Sequence, residues 1–236
     1  MWLALETSGD CASVALGNPD HLLAQAELSG ARRHAGALLA LVDQTLAEVR
    51  GTPGEIEGVV VGDGPGGFTG LRIAATMAKA MLRTRRRPLW AVSSLVAMAA
   101  SAGRAQEGAV VAAVADALRG QLFAGAVTVR PRGLELTMPP RVFHPEQLAE
   151  ALPAPALLVI RDEGAPVLPA VWSRVPAIRR VPMAADLLRL IGVSGGAKLI
   201  DEPADWEPEY GRPAEAQSRW EATHGRRLPD SSGRAG

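Results

Sequence analysis

Three stretches of the sequence hold residue types that could do chemistry. The first, Glu6-Thr7-Ser8-Gly9-Asp10, sets a carboxylate and two hydroxyls beside a glycine. Such a turn could grip a metal-bound phosphate, and it would serve equally as a plain hairpin turn. The second, "GDGPGGFTGLR" from Gly62 to Arg72, packs five glycines and a proline between the apolar run "VVV" and a helix-like segment. Free amides at the start of a helix attract anions. A phosphate-gripping loop, however, places Lys-Ser or Lys-Thr directly after its last glycine. Here Leu71 and Arg72 follow Gly70, and the nearest lysine is Lys79. The residues of a vestigial phosphate turn would be Glu6, Thr7, Ser8, Gly64, Gly66, Gly67, Thr69 and Arg72. The same glycines also suit a tight strand-to-helix turn with Thr69 as its cap. The third stretch, Gly192-Val193-Ser194-Gly195-Gly196, matches the G-x-S-x-G nucleophile elbow, with Asp201 and His224 following in hydrolase order. An elbow needs a buried strand before it. What precedes is "AADLLRLI", with Leu187, Leu188 and Ile191 at helical spacing, which favours a glycine-broken helix.

Other chemistries find less material. The single cysteine, Cys11, excludes an internal disulfide and a cysteine-built zinc site. His21, His34, His144 and His224 are scattered, and none pairs at the i, i+4 spacing of a helical metal site, so no metal is expected. Arg83, Arg85, Arg86 and Arg87 close a helix. They could touch an RNA backbone, or they could complement the negative end of the helix dipole. Lys plus Arg balances Asp plus Glu at 25 each, so no global field draws the chain to nucleic acid or membrane. The first residues lack the basic flank of a signal peptide, and no apolar run approaches the length of a membrane span. A cytoplasmic protein is expected.

The elements that must position these residues follow from periodicity. Residues 2–5, 11–16 and 21–28 are short apolar runs separated by turn signals, an antiparallel meander. Residues 33–50 carry helical spacing, with Ala35, Leu38, Leu39, Val42, Leu46 and Val49 on one face. A buried strand at 58–62, a helix at 69–85, a strand at 88–92 and a helix ending near Gly103 complete a βββαβαβα order. That is an α/β, ribonuclease-H-like arrangement. Residues 1–103 would form this first lobe, 104–205 a smaller α/β lobe, and 206–236 a polar tail with one short helix. In the second lobe, 109–117 and 121–129 read as a hairpin, 134–139 as a third strand, 145–152 as a helix and 156–160 as a strand. The sequence holds no internal repeat.

"LALETSGDCASVAL", "GDGPGGFTGLRIA", "VSSLVAMAA", "VADALRGQLFAG" and "PEYGRPAEAQSRWE" resemble, in order and spacing, the bacterial TsaB (YeaZ) proteins. The run G-x-G-P-G-x-F-T-G-L-R is the most specific part. The resemblance implies a two-lobed actin-like ATPase fold and a non-catalytic subunit. It implies pairing with the catalytic subunit TsaD as a heterodimer, and with the ATPase TsaE, for threonylcarbamoylation of adenosine 37 in tRNAs that read codons starting with adenine. A homodimer is the alternative for the isolated chain. Contact with tRNA would be indirect or weak, no cofactor would be required, and ATP or ADP at the partner interface is left open. Glu6 stands where the family has aspartate more often, Gly67 where serine is usual, and Leu118 where arginine is usual. These departures weaken an ATPase reading more than an adaptor reading.

Two alternatives remain from the residues alone. An ATP-dependent small-molecule kinase of the same superfold would need acidic phosphate contacts in the C-terminal half, where Asp116 is the one candidate. A hydrolase would be built on Ser194. For an adaptor, the partner contact is expected on two helix faces. On the second helix Leu71, Ala74, Ala75, Ala78 and Leu82 form one apolar face, and Ile73, Met77 and Ala80 form another. On the first, Gly36, Ala37, Ala40, Gln44 and Ala47 are small or polar residues opposite the leucines that would let another helix approach.

Overall fold

The computed structural model describes residues 1–30, 34–83, 86–103, 107–161, 166–211 and 223. The chain opens with β1 (Trp2–Glu6), β2 (Cys11–Gly17) and β3 (Leu22–Ser29), then α1 (His34–Glu48), β4 (Gly58–Gly64), α2 (Phe68–Leu82), β5 (Leu89–Ser93) and α3 (Ser94–Gly103). It continues through β6 (Val110–Asp116), β7 (Leu122–Arg130), β8 (Gly133–Phe143), α4 (Pro145–Ala151), β9 (Leu157–Ile160), β10 (Ala177–Arg179), α5 (Ala184–Leu188) and β11 (Lys198–Ile200). The expected tail helix, in residues 214–225, lies outside the described residues apart from Thr223.

Two sheets result, with the orders β11-β5-β4-β1-β2-β3 and β10-β9-β6-β7-β8. In the first, β1 pairs antiparallel with β2 and parallel with β4, the ribonuclease-H-like order expected from the sequence. The second sheet repeats that pattern. β6, β7 and β8 form the meander, and β9 and β10 add on in parallel. This is a topological repeat that residue identity does not reveal.

Alternation along the strands distributes the core on both faces of each sheet. Leu3, Leu5, Val59 and Val61 face α1 and α2, while Ala4, Ala15 and Val60 face the other way, onto α3 and α5. α3 is apolar all round and is buried from Ser94 to Ala100 between the two sheets. The outer face of the second sheet carries α4, with Leu148 and Trp172 closing a third cluster.

Three details differ from the sequence reading. On α1 the buried face is Leu38, Leu41, Val42, Thr45 and Leu46, and Leu39 is 58% exposed. Thr45 can be buried because its hydroxyl donates back to the Leu41 and Val42 carbonyls. α2 begins one residue before Thr69, at Phe68, with Gly67 at the cap position and no side-chain capping bond. Finally, α5 and β11 come from the stretch expected to form the second lobe, yet α5 packs beneath β1 and β2, and β11 pairs with β5 of the first sheet.

Leu5 is fully buried between β1's neighbours and the α1–α2 layer. Leu5→Ala should lower the free energy of unfolding by about 3 kcal/mol, read from urea denaturation, because the rigid sheet cannot collapse onto the cavity.

Candidate functional site

Two turns meet at the C-terminal ends of β1 and β4, and the glycines decide how closely. A Cβ on Gly66 would lie 2.2 Å from the Ser8 carbonyl oxygen, and one on Gly70 would lie 2.2 Å from that of Thr7. A Cβ on Gly62 would sit equally close to the Glu6 carboxylate. Only glycine at positions 66 and 70 leaves room for this backbone-to-backbone approach.

Hydrogen bonds then seal the seam. The Thr7 hydroxyl donates to the Gly70 carbonyl at 2.8 Å, and the Gly67 N–H donates to the Ser8 carbonyl at 2.9 Å. The buried Glu6 carboxylate accepts the Ser8 N–H at 2.6 Å through Oε1 and the Ser94 hydroxyl at 2.7 Å through Oε2. Among the described residues no lysine or arginine pairs with it, so hydrogen bonds alone compensate its desolvation. From the far lobe the Arg161 guanidinium donates to the Pro65 carbonyl at 2.6 Å. The Thr7 hydroxyl, the Glu6 carboxylate and the Gly67 amide, which could have held a phosphate or its metal, are therefore paired within the chain, whereas the buried Ser8 hydroxyl is not.

The eight residues of the expected phosphate turn separate into two sets. Glu6, Thr7, Ser8 and Gly64 are buried in the seam, with Gly66 half-buried beside them. Gly67, Thr69 and Arg72 are exposed. The Arg72 guanidinium stacks over the Phe68 ring, 5.2 Å from its centre, instead of turning toward Glu6.

A strap that sequence reasoning left in the tail closes over the turn. The Glu209 N–H donates to the Asp63 carbonyl at 2.9 Å, and the Tyr210 ring lies 4.5 Å from that of Phe68. Burial, and then its hydrogen bond to Glu207, push the Tyr210 hydroxyl well above its ordinary pKa. Lys79 reinforces the strap by donating to the Ala204 carbonyl at 3.0 Å. The signal for this strap was the "PEYG" tetrapeptide inside a polar segment, whose proline and aromatic ring had no periodic pattern to place them.

Beside the strap, α1 and α2 leave an open apolar groove of about 790 Å³. It is lined by Leu39 of α1 and by Phe68, Thr69, Arg72, Ile73, Thr76, Met77, Ala80 and Met81 of α2. Of the expected contact residues, Ile73 and Met77 are half-buried in it and Ala80 is exposed. On α1, Ala37 is half-buried and Ala40 and Gln44 are exposed, outside the groove lining; of Gly36 only the helical backbone is described. Leu39 and Phe68, which the sequence reading did not assign to this surface, supply its exposed apolar area.

The remaining candidates are dispersed. Ser194 is exposed in a turn preceded by helix and turn, not by a strand, so the elbow geometry does not form. Asp201 is exposed elsewhere, and His224 lies outside the described residues. Asp116 accepts the Leu118 N–H at the tip of the β6–β7 hairpin. Arg87 donates to the Pro53 and Gly54 carbonyls, Arg83 and Arg86 are exposed, and Arg85 is outside the described residues. Among the described residues no three His, Cys, Asp or Glu side chains are grouped to hold a metal, and no helix is long and apolar enough to cross a membrane.

Residues 21–171 match the family model for TsaD, tRNA N6-adenosine threonylcarbamoyltransferase. The chain belongs to this family. Within it the likeness is to the TsaB (YeaZ) proteins. The tRNA threonylcarbamoyladenosine biosynthesis protein TsaB of Bacillus subtilis is 28% identical over 234 residues, covering 92% of this chain and 96% of that protein. Its Escherichia coli counterpart is 33% identical over 121 residues, about half of each chain (51% and 52%). Among solved structures, YeaZ from Pseudomonas aeruginosa superposes with a TM-score of 0.69 at 30% identity, covering 81% of this chain and 91% of that one. A protein with similarity to peptidase YeaZ, also from Pseudomonas aeruginosa, gives 0.70 at 28%, covering 89% and 99%. The actin-like, ribonuclease-H-like fold is thereby shared with solved members.

The seam yields a paired test. Gly70→Ala, which drives a methyl into backbone, should cost about 3 kcal/mol or more. Gly67→Ala, whose Cβ meets its nearest atom at 3.8 Å and whose φ is −62°, should change stability by less than about 1 kcal/mol. Equal melting temperatures for the two variants would contradict the close approach.

Proposed function

We propose that this chain serves threonylcarbamoyladenosine biosynthesis in tRNA as a non-catalytic subunit, binding and activating a TsaD-like catalytic subunit. One observation carries the reading: the groove between α1 and α2. A solvent-facing apolar groove with exposed Leu39 and Phe68, rimmed by Arg72 and Thr76, has the composition of a protein contact. The catalytic subunit would lay a pair of helices into it, and a second copy of this chain would do so when the partner is absent. A TsaE-like ATPase would complete the cytoplasmic complex.

The closed seam supports the non-catalytic half of the proposal. Phosphate transfer needs donors free to meet developing charge. In the seam those donors are spent on Ser8, Glu6 and Gly70.

Leu39 and Thr76 face the groove without entering the core, so they test the contact independently of folding. Leu39→Asp or Thr76→Arg should weaken binding to the catalytic subunit by a hundredfold or more, about 3 kcal/mol, measured by calorimetry. The melting temperature should stay within a few degrees. Met77→Asp serves less well, because Met77 also packs against the Leu5–Val61 core. Unchanged binding in both surface variants would place the contact elsewhere.

The biological assignment has its own test. Depleting the chain should lower threonylcarbamoyladenosine in cellular tRNA, read by nucleoside mass spectrometry, while other modified nucleosides stay level. An unchanged level, with no second gene able to substitute, would end the proposal.

A further inference from the structure

The buried Asp186 carboxylate, 3% exposed, stands at the start of an arrangement that the α1–α2 groove does not use. It accepts the Ser101 hydroxyl at 2.8 Å, Arg189 Nη1 at 3.1 Å and Arg180 Nη2 at 3.2 Å. One carboxylate thus anchors two guanidiniums, and among the described residues no second acid pairs with either. Both arginine side chains reach water, at 36% and 40% exposure. Arg180 also keeps a buried Nε–H with no hydrogen-bond partner among the described residues. Were the cluster purely structural, one arginine would neutralise Asp186, and the second would add a like charge beside the first.

The surrounding sequence has the same bias. From Arg161 to Ile191 the chain carries Arg161, Arg174, Arg179, Arg180 and Arg189 against Asp162, Glu163 and Asp186, although the whole chain is balanced at 25 to 25. A local excess of arginine on a neutral protein marks a surface for anions.

We propose that Arg180 and Arg189 form a contact for the phosphodiester backbone of RNA. A guanidinium fork matches phosphate oxygens in geometry. Because Asp186 already fixes both forks, little side-chain freedom remains to be lost on binding. With aromatics at 4% of the chain and Trp172 buried, base stacking contributes nothing there, so the contact is sequence-blind and weak. Its position suits a complex. α5 lies with α3 on one face of the first sheet and the α1–α2 groove lies on the other, so a partner in the groove leaves the arginines open. RNA is the chosen phosphate source because the assignment rests on the chain's proposed place in tRNA modification.

The test is fluorescence anisotropy of an unmodified tRNA transcript with the full chain, alone and with its catalytic partner, from about 50 to 200 mM salt. Arg180→Gln with Arg189→Gln would strand the Asp186 charge. The working variant therefore adds Asp186→Asn, and its melting curve is recorded alongside the double variant's. Loss of two phosphate contacts should weaken binding on the order of thirtyfold at about 0.1 M salt and flatten the log–log salt slope by about 2. Arg83→Gln, on the opposite side of the sheet, should leave both unchanged. Wild-type affinity and slope in the triple variant would overturn the proposal, as would an equal loss in Arg83→Gln. Absence of RNA binding by the wild-type chain in either form would also overturn it. So would stabilisation of the chain by inorganic phosphate that RNA does not compete away, since the site would then belong to a small anion. The two readings fail separately. RNA binding through these arginines, with threonylcarbamoyladenosine unaffected by depletion, would sink only the functional assignment.

Discussion

The contact between Gly62, Gly66 and Gly70 and the Glu6–Ser8 turn is the constraint on which the rest of the molecule depends. It brings two backbones closer than any side chain permits, since a Cβ on Gly66 or Gly70 would meet a backbone carbonyl oxygen at 2.2 Å, and one on Gly62 would meet the Glu6 carboxylate as closely. From this one seam three elements take their positions. The Thr7 hydroxyl holds the first turn of α2 at Gly70, and the Glu6 carboxylate holds the start of α3 at Ser94. Asp63, one residue beyond Gly62, anchors the returning strap at Glu209. The orientation of α2 against α1, and hence the shape of the groove between them, is set from this end.

The same closeness bears on the chemistry the turn could have done. Glycine-rich turns hold phosphates when their amides and the facing polar side chains are left unpaired. Here Thr7, Glu6 and the Ser8 backbone spend their hydrogen bonds within the chain. The exposed residues at the head of α2 are Phe68, Thr69 and Arg72, which line an apolar groove with Leu39. A site that could have opened inward has become a rigid base for a surface that faces outward. This is the physical ground on which an adaptor is favoured over a kinase.

The two lobes share a strand order but not this device. Between β4 and β5 the first lobe inserts the glycine turn and the long helix α2. Between β9 and β10 the second lobe has, among its described residues, only the short helical turn Ala170–Trp172. The second sheet instead packs its inner face on α3, and the first lobe recruits α5 and β11 from late in the chain. α3 is the shared core of both lobes, which explains why it is apolar on every side.

Much of this was legible in the sequence. Alternating and continuous apolar runs placed β1 to β7, and helical spacing placed α1 and α2, because those patterns record which side of an element meets the core. The glycine turn and its lack of a lysine were equally plain. What periodicity does not record is which distant element does the covering. Leu39 fits the helical spacing yet lies off the buried α1 face, which Leu41 joins instead, and Thr45 is buried only because its hydroxyl reaches the carbonyls of its own helix. β11 spans only Lys198–Ile200, too short to show a period. The strap over Phe68 and the pairing of Arg180 and Arg189 on Asp186 join residues whose meeting is fixed by the folded chain, not by local spacing. The sequence alone determined that a glycine-rich turn without a lysine stood between β4 and α2. Only the tertiary structure decided that it was closed, because closure depends on how near Glu6, Thr7 and Ser8 come to glycines far along the chain, as the Thr7–Gly70 bond across 63 positions shows.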